Sequence, residues 1–273
     1  MNPRLQEILN RADQVISGNG GPVEPYDGPL HVGVDLGTAY TTMVVLNDDM
    51  MPIAGCWRPA QVVRDGLVLD FFGATQIVRE FKEKVEARLG RTLVSAATAY
   101  PPGVPEKEVR AQGNVLFSAG LECSGLIDEA SAASNVLQIP AGAVVDVGGG
   151  TTGIAIIENN KVIFTADEAT GGTHFNLVIA GALGISFEEA EKRKTDPALQ
   201  TELFPIVEPV MEKVGAVIAK YIASYHVDVI YMVGGTSRFP RIAEVVENFT
   251  GVKTVIPGEP LFVTPIGIAM HNN

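Results

Sequence analysis

The chain has 273 residues, 46% hydrophobic and 19% charged, the balance of a folded protein long enough for two α/β lobes rather than of a disordered chain. Its formal net charge is −12 with scattered Lys and Arg, which disfavours a nucleic-acid partner or an anionic membrane surface, so any phosphate ligand must be gripped locally. Two cysteines without a CxxC pair argue against a disulfide framework and structural zinc, while the lack of a membrane-length apolar run or a secretory leader pattern fits a reducing cytoplasm.

Residues 2 to 16 place Leu5, Ile8, Leu9, Ala12, Val15 and Ile16 on one face of a short amphipathic helix, with Arg4, Glu7, Arg11 and Asp13 opposite. Residues 17 to 30, rich in Gly and Pro, read as a linker. The helix then packs on its own body, docks in a partner's groove or lies on a membrane, and its balanced charges disfavour the last. From His31 the chain runs strand, Asp35, a Gly37-Thr38-Ala39 turn and a second strand from Tyr40 to Leu46. Glycine lets backbone amides approach a phosphate, Thr38 adds a hydroxyl, and Asp35 can hold a hydrated metal ion opposite them. Residues 61 to 72 suggest a β-hairpin turning at Arg64-Asp65-Gly66, and 74 to 89 a helix stopped by Gly90. A buried strand from Leu93 to Ala99 and a helix over 104 to 119 follow. Glu129 lies just past an apolar run at the start of another helix, where a carboxylate is either a dipole partner or a group that positions a water.

Val144 to Ile157 repeats the earlier design: strand, Asp146, a Gly148-Gly149-Gly150-Thr151-Thr152 turn, strand. One such motif is a glycine turn of open purpose, whereas two between β-branched strands suggest paired lobes gripping one ligand. Lys161 to Thr165 forms another strand, Gly171-Gly172 opens a helix over 173 to 182, and Ser186 caps a second over 186 to 194. A longer helix spans 202 to 224 with Pro205 and Pro209 near its start. The strand Val229 to Val233 ends in a third glycine turn, Gly234-Gly235-Thr236-Ser237-Arg238, before a helix over 242 to 248 and a last apolar helix within 260 to 269.

In this order and spacing the motifs over about residues 31 to 270 resemble the actin-like ATPase superfamily, which includes actin, DnaK-type chaperones, sugar kinases and MreB. The resemblance implies a two-lobed, ribonuclease H-like α/β fold. Lobe I covers 31 to 142 with the C-terminal helix within 261 to 273, lobe II covers 143 to 260, and ATP or ADP with Mg²⁺ lies between them. Asp35 and Asp146 would hold Mg²⁺ through its waters. Gly37, Thr38, Ala39 and Tyr40 would cradle phosphates with Gly148, Gly149, Gly150, Thr151 and Thr152. Glu129, followed by Ala130 where the family has proline, would orient the attacking water, so that Glu129, Asp146 and Thr151 form the catalytic set. Gly234, Gly235, Thr236 and Arg238 would line the adenosine side, and Gly172 would be a further cofactor-binding residue. Glu191 and Lys194 match the family's ribose and adenine contacts, although a solvated helix face is the ordinary reading of such charges.

Two departures matter. Lys194 is followed within a few residues by Glu202, so the subdomain that relatives insert there, IIB, is missing. Glu191 and Lys194 should then sit at a rim with little covering them, with weak binding and slow turnover. No lysine precedes residue 82 to serve as the DnaK hydrolysis lysine, which makes MreB the closer chemical model, and a DnaK-style peptide-binding domain is not expected. A truncated, acidic, DnaK-like chain with a detached N-terminal helix resembles the EutJ family of ethanolamine utilisation. That resemblance implies a chaperone-like role and association with a bacterial microcompartment shell or ethanolamine ammonia-lyase. The detached helix is itself similar to peptides that load cargo into such shells. The expected activity is slow ATP hydrolysis. The main alternative is a non-hydrolysing scaffold that recruits enzyme through the helix, and a small-molecule kinase is the lesser one. Filaments are not expected, because actin-type contacts use the missing lobe.

Overall fold

The computed structural model describes residues 3–17, 23–64 and 67–272. In chain order, α1 (Pro3–Ile16) precedes an antiparallel meander of β1 (His31–Leu36), β2 (Tyr40–Leu46) and β3 (Pro52–Pro59). The short pair β4 (Val63–Arg64) and β5 (Leu67–Val68) leads into α2 (Phe71–Leu89), then β6 (Ser95–Tyr100), α3 (Glu106–Ser118), β7 (Glu122–Asp128) and α4 (Glu129–Leu137). A second meander follows, β8 (Gly142–Val147), β9 (Thr152–Glu158) and β10 (Lys161–Glu168), with α5 (Gly172–Leu183), α6 (Phe187–Thr195) and α7 (Gln200–Ile222) after it. The chain closes with β11 (Val229–Val233), α8 (Ile242–Thr250), β12 (Lys253–Val255) and α9 (Val263–Met270).

The two meanders seed two five-stranded sheets of one topology, β3-β2-β1-β6-β7 and β10-β9-β8-β11-β12, each with its last two strands parallel to the first. The repeated motif thus marks a repeated lobe. Both faces of each sheet are covered, which is why β8 reads as an unbroken apolar run. On lobe I, Val32, Val34 and Met43 pack with Phe81 and Val85 of α2 and Val115 and Leu116 of α3. On lobe II, Val145, Ile154 and Ile156 pack with α5, α7 and α8. The remaining faces share a core with α4 and α9, through Val44 and Leu46 from one sheet and Val144, Ala155 and Ile157 from the other. Small residues let this layer close: a Cβ on Gly267 would stand 1.8 Å from the Ala132 carbonyl oxygen, and one on Gly33 would stand 2.5 Å from the Ala269 nitrogen.

The N-terminal helix is not detached. All six apolar positions that define its face are buried, in the core that also holds Val44, Leu46, Phe262 and Ile266. Arg88 ties it down by donating to the Val15 and Gly55 carbonyls at 3.1 and 2.8 Å. Of the linker, residues 18–22 lie outside the described residues, but residues 23–30 are strapped to lobe I by Arg91, which donates to the Tyr26 and Gly28 carbonyls, both at 2.7 Å.

Asp65 and Gly66 of the expected hairpin turn lie outside the described residues, and the hairpin is shorter than its apolar pattern suggested. Asp70 caps α2 by accepting from the Gly73 amide at 2.8 Å, so Phe71 and Phe72 belong to a helix. Only residues 196–199 separate α6 from α7, in line with the missing insertion. No helix of the described residues is long and apolar enough to cross a membrane.

Candidate functional site

Asp35 and Asp146 occupy matching places near the ends of β1 and β8, each followed by its glycine turn. With Glu129 at the start of α4 they line a cleft between the lobes of about 900 Å³, its open mouth included. Gly37, Thr38, Ala39 and Tyr40 line it from lobe I, and Gly148, Gly149, Gly150, Thr151, Gly234, Gly235 and Thr236 from lobe II, with Glu191 and Lys194.

The lobe II turn is oriented from outside. Gly172 and Thr173, at the N-terminus of α5, donate their amides to the Gly148 and Gly149 carbonyls at 3.0 and 2.7 Å. The Thr236 hydroxyl donates to Gly148 as well, at 2.7 Å. With those carbonyls held toward α5, the amides of Gly149 and Gly150 have no acceptor among the described residues, which leaves donors for an anionic ligand. The two turns meet directly: a Cβ on Gly149 would stand 2.6 Å from the Ala39 Cβ.

Burial and then the charge of Asp146 push the Asp35 carboxyl up to about 7. Burial raises Asp146, against a hydrogen bond from the Thr264 hydroxyl. Glu129 is raised well above the ordinary carboxylate range by burial, then by the charges of Asp35, Asp146, Asp167 and Asp128. Among the described residues no three His, Cys, Asp or Glu side chains converge to chelate a metal directly. Two carboxylates, one from each lobe, whose charged forms are made costly by burial and, for Asp35, by the Asp146 charge, instead fit a cation that keeps its water shell.

Two residues expected at the ligand stand elsewhere. Thr152 is fully buried and its hydroxyl donates to the Thr170 carbonyl at 2.6 Å, so it braces the turn from behind. Gly172 sits behind the cleft wall, where a Cβ would stand 2.6 Å from the Thr236 hydroxyl oxygen. Arg238 lines a cavity that opens off the cleft and shares Tyr40, Lys194 and Thr236 with it, and it pairs with Glu259 at 3.6 Å.

Glu191 and Lys194 form neither a solvated helix face nor a bare rim. The Lys194 side chain is 12% exposed and donates to Glu191 Oε2 at 2.6 Å, as does Asn176. Tyr40 donates its hydroxyl to Glu191 Oε1 at 3.1 Å, a bridge between the lobes. Burial pushes Glu191 up, but the Lys194 charge and these bonds outweigh it and hold the carboxyl below its ordinary value. Burial lowers Lys194, with Glu191 opposing. Sequence reasoning missed Asn176, Thr264, Trp57 and Asp167, since a single polar or aromatic residue inside a helix or strand carries no spacing signal.

Partial family matches cover type IV pilus assembly protein PilM over residues 129–262 and MreB/Mbl protein over 56–188. The ethanolamine utilization protein EutJ of Escherichia coli is 41% identical over 98% of this chain and 93% of its own. The crystal structure of EutJ from Carboxydothermus hydrogenoformans superposes with a TM-score of 0.92 at 46% identity, covering 98% of each chain. MreB5 of Spiroplasma citri, bound to AMPPNP, shares the fold with a TM-score of 0.69 at 16% identity, over 90% of this chain and 96% of its own. The two-lobed architecture is therefore that of the actin-like ATPases.

Proposed function

The chain belongs to the EutJ family of ethanolamine utilization proteins, and from that premise we propose that it binds ATP between its lobes, hydrolyses it slowly and serves ethanolamine utilisation as a chaperone-like factor. One observation carries the reading: carboxylates from both lobes, the unsatisfied amides of a braced glycine turn and the Glu191–Lys194 pair line a single cleft. The turn amides, Thr38 and Thr151 would hold the phosphates. Asp35 and Asp146 would hold Mg²⁺ through its waters, and the ion would neutralise phosphate charge. Glu129 would accept a hydrogen bond from the attacking water and fix its direction. The partners we propose are the microcompartment shell or ethanolamine ammonia-lyase, in the cytoplasm or within the compartment.

The scaffold alternative relied on a free N-terminal helix. Its apolar face is already filled by the body, which favours the ATPase reading. Single-turnover phosphate release is the test. Glu129→Ala should slow it on the order of 100-fold while ATP affinity stays near wild type, and an unchanged rate would remove Glu129 from the mechanism.

A further inference from the structure

Past Glu191 and Lys194 the cleft opens into a second cavity of about 940 Å³, open mouth included. On the lobe II side it is lined by Arg238 and by Phe239, whose ring meets Phe175 edge to face at 5.7 Å and 74°. On the lobe I side it is lined by Trp57 of β3, half-buried, with its ring centroid 5.2 Å from that of Tyr40. The Tyr40 hydroxyl reaches across to Glu191, so this aromatic pair is turned toward the opposite lobe.

A slot with an indole on one side and a guanidinium and a phenyl ring on the other suits a flat heteroaromatic ring, which gains from stacking and from cation–π contact. The residues that the superfamily pattern matches to ribose and adenine, Glu191, Lys194, Gly234, Gly235, Thr236 and Arg238, all belong to lobe II. Trp57 does not, and the space beside it is bounded by Pro197, from the short turn that stands where relatives carry their inserted subdomain, and by Gln200 at the start of α7.

Resting on the nucleotide reading above, we infer that the nucleobase is held between the lobes with Trp57 as its lobe I wall. The base, and not the phosphates alone, then draws the lobes together, and Trp57 sets the preference for nucleotides over bare polyphosphate.

The single tryptophan makes this measurable in the full chain. With Mg²⁺ present, ATP and inorganic tripolyphosphate are titrated in parallel, following indole emission and calorimetric heat. ATP should change the emission with the midpoint that calorimetry gives, whereas tripolyphosphate should bind without moving it. Trp57→Ala should weaken ATP about tenfold or more and leave tripolyphosphate affinity unchanged, and Trp57→Phe, which keeps a ring, should stay within about threefold of wild type for ATP. Calorimetric ATP binding with constant emission would overturn the inference while sparing the nucleotide reading. So would equal losses for both ligands in Trp57→Ala. If neither ligand binds the wild-type chain, the nucleotide reading itself falls and the inference with it.

Discussion

In lobe II the glycine turn is held by other elements: two amides of α5 and the Thr236 hydroxyl converge on the Gly148 and Gly149 carbonyls. In lobe I the matching turn closes on its own meander, with Gly37 N–H donating to the Tyr40 carbonyl and Ala60 N–H to the Ala39 carbonyl, both at 3.0 Å. Two lobes of one topology therefore present unlike jaws. The lobe II turn is a preset seat whose donors face the cleft before any ligand arrives, and the lobe I turn meets it at the Ala39–Gly149 contact and through the Tyr40–Glu191 bond. Preorganised donors of this kind need no rearrangement when charge arrives, so the lobe II seat should dominate affinity and lobe I should dominate closure.

Substitutions that strike one jaw at a time test that contrast. Gly234→Ala attacks the lobe II seat from behind: φ is +86° and a Cβ would stand 2.2 Å from Asp146 Oδ1 and 2.5 Å from the Val147 carbonyl oxygen. Denaturant unfolding should show a loss on the order of 3 kcal/mol, and a near-wild-type midpoint would mean that the seat is not rigid. Lys194→Ala should weaken ATP about tenfold in a binding titration, since a hydrogen bond involving a charged group is worth roughly 1.5–3 kcal/mol. Glu191 then keeps Tyr40 and Asn176, so the lobe bridge itself should survive. Thr236→Val should cost about 1 kcal/mol of folding stability, because Gly172 still satisfies the Gly148 carbonyl. Asp35→Asn should act in the opposite direction on stability. Removing one of the three carboxyl groups that crowd the cleft, Asp35, Glu129 and Asp146, should raise the ligand-free melting temperature by roughly 3 °C while Mg²⁺-dependent ATP binding falls, and a lowered melting temperature would show that the carboxylates do not strain the ligand-free protein.

The parts of this site that were legible in the sequence are those whose chemistry imposes a local pattern. Asp35 and Asp146 each precede a glycine turn between apolar strands, and that repetition exposed the paired lobes. The six apolar positions of α1 were equally plain, but where the face would bury depends on Arg88, Val44 and Phe262, which are distant in the chain. Strands β3, β7 and β12 went unread because their burial alternates weakly or their partners come from elsewhere. Thr152 looked like a ligand group because it follows Thr151, yet strand alternation turns its hydroxyl to Thr170. Glu191 and Lys194 looked like surface charges on a polar helix, and the approach of Tyr40 from the other lobe and of Asn176 and the Gly172 carbonyl from α5 makes them interior.

The two jaws are proposed to close on one Mg²⁺-dependent nucleotide. Calorimetric titration of ATP into the full chain, with and without Mg²⁺, and into Asp146→Ala, tests it directly. One ATP should bind per chain, with dependence on Mg²⁺ and loss of that binding in Asp146→Ala. Absence of binding to the wild-type chain, or an affinity that neither Mg²⁺ nor Asp146→Ala alters, would contradict it.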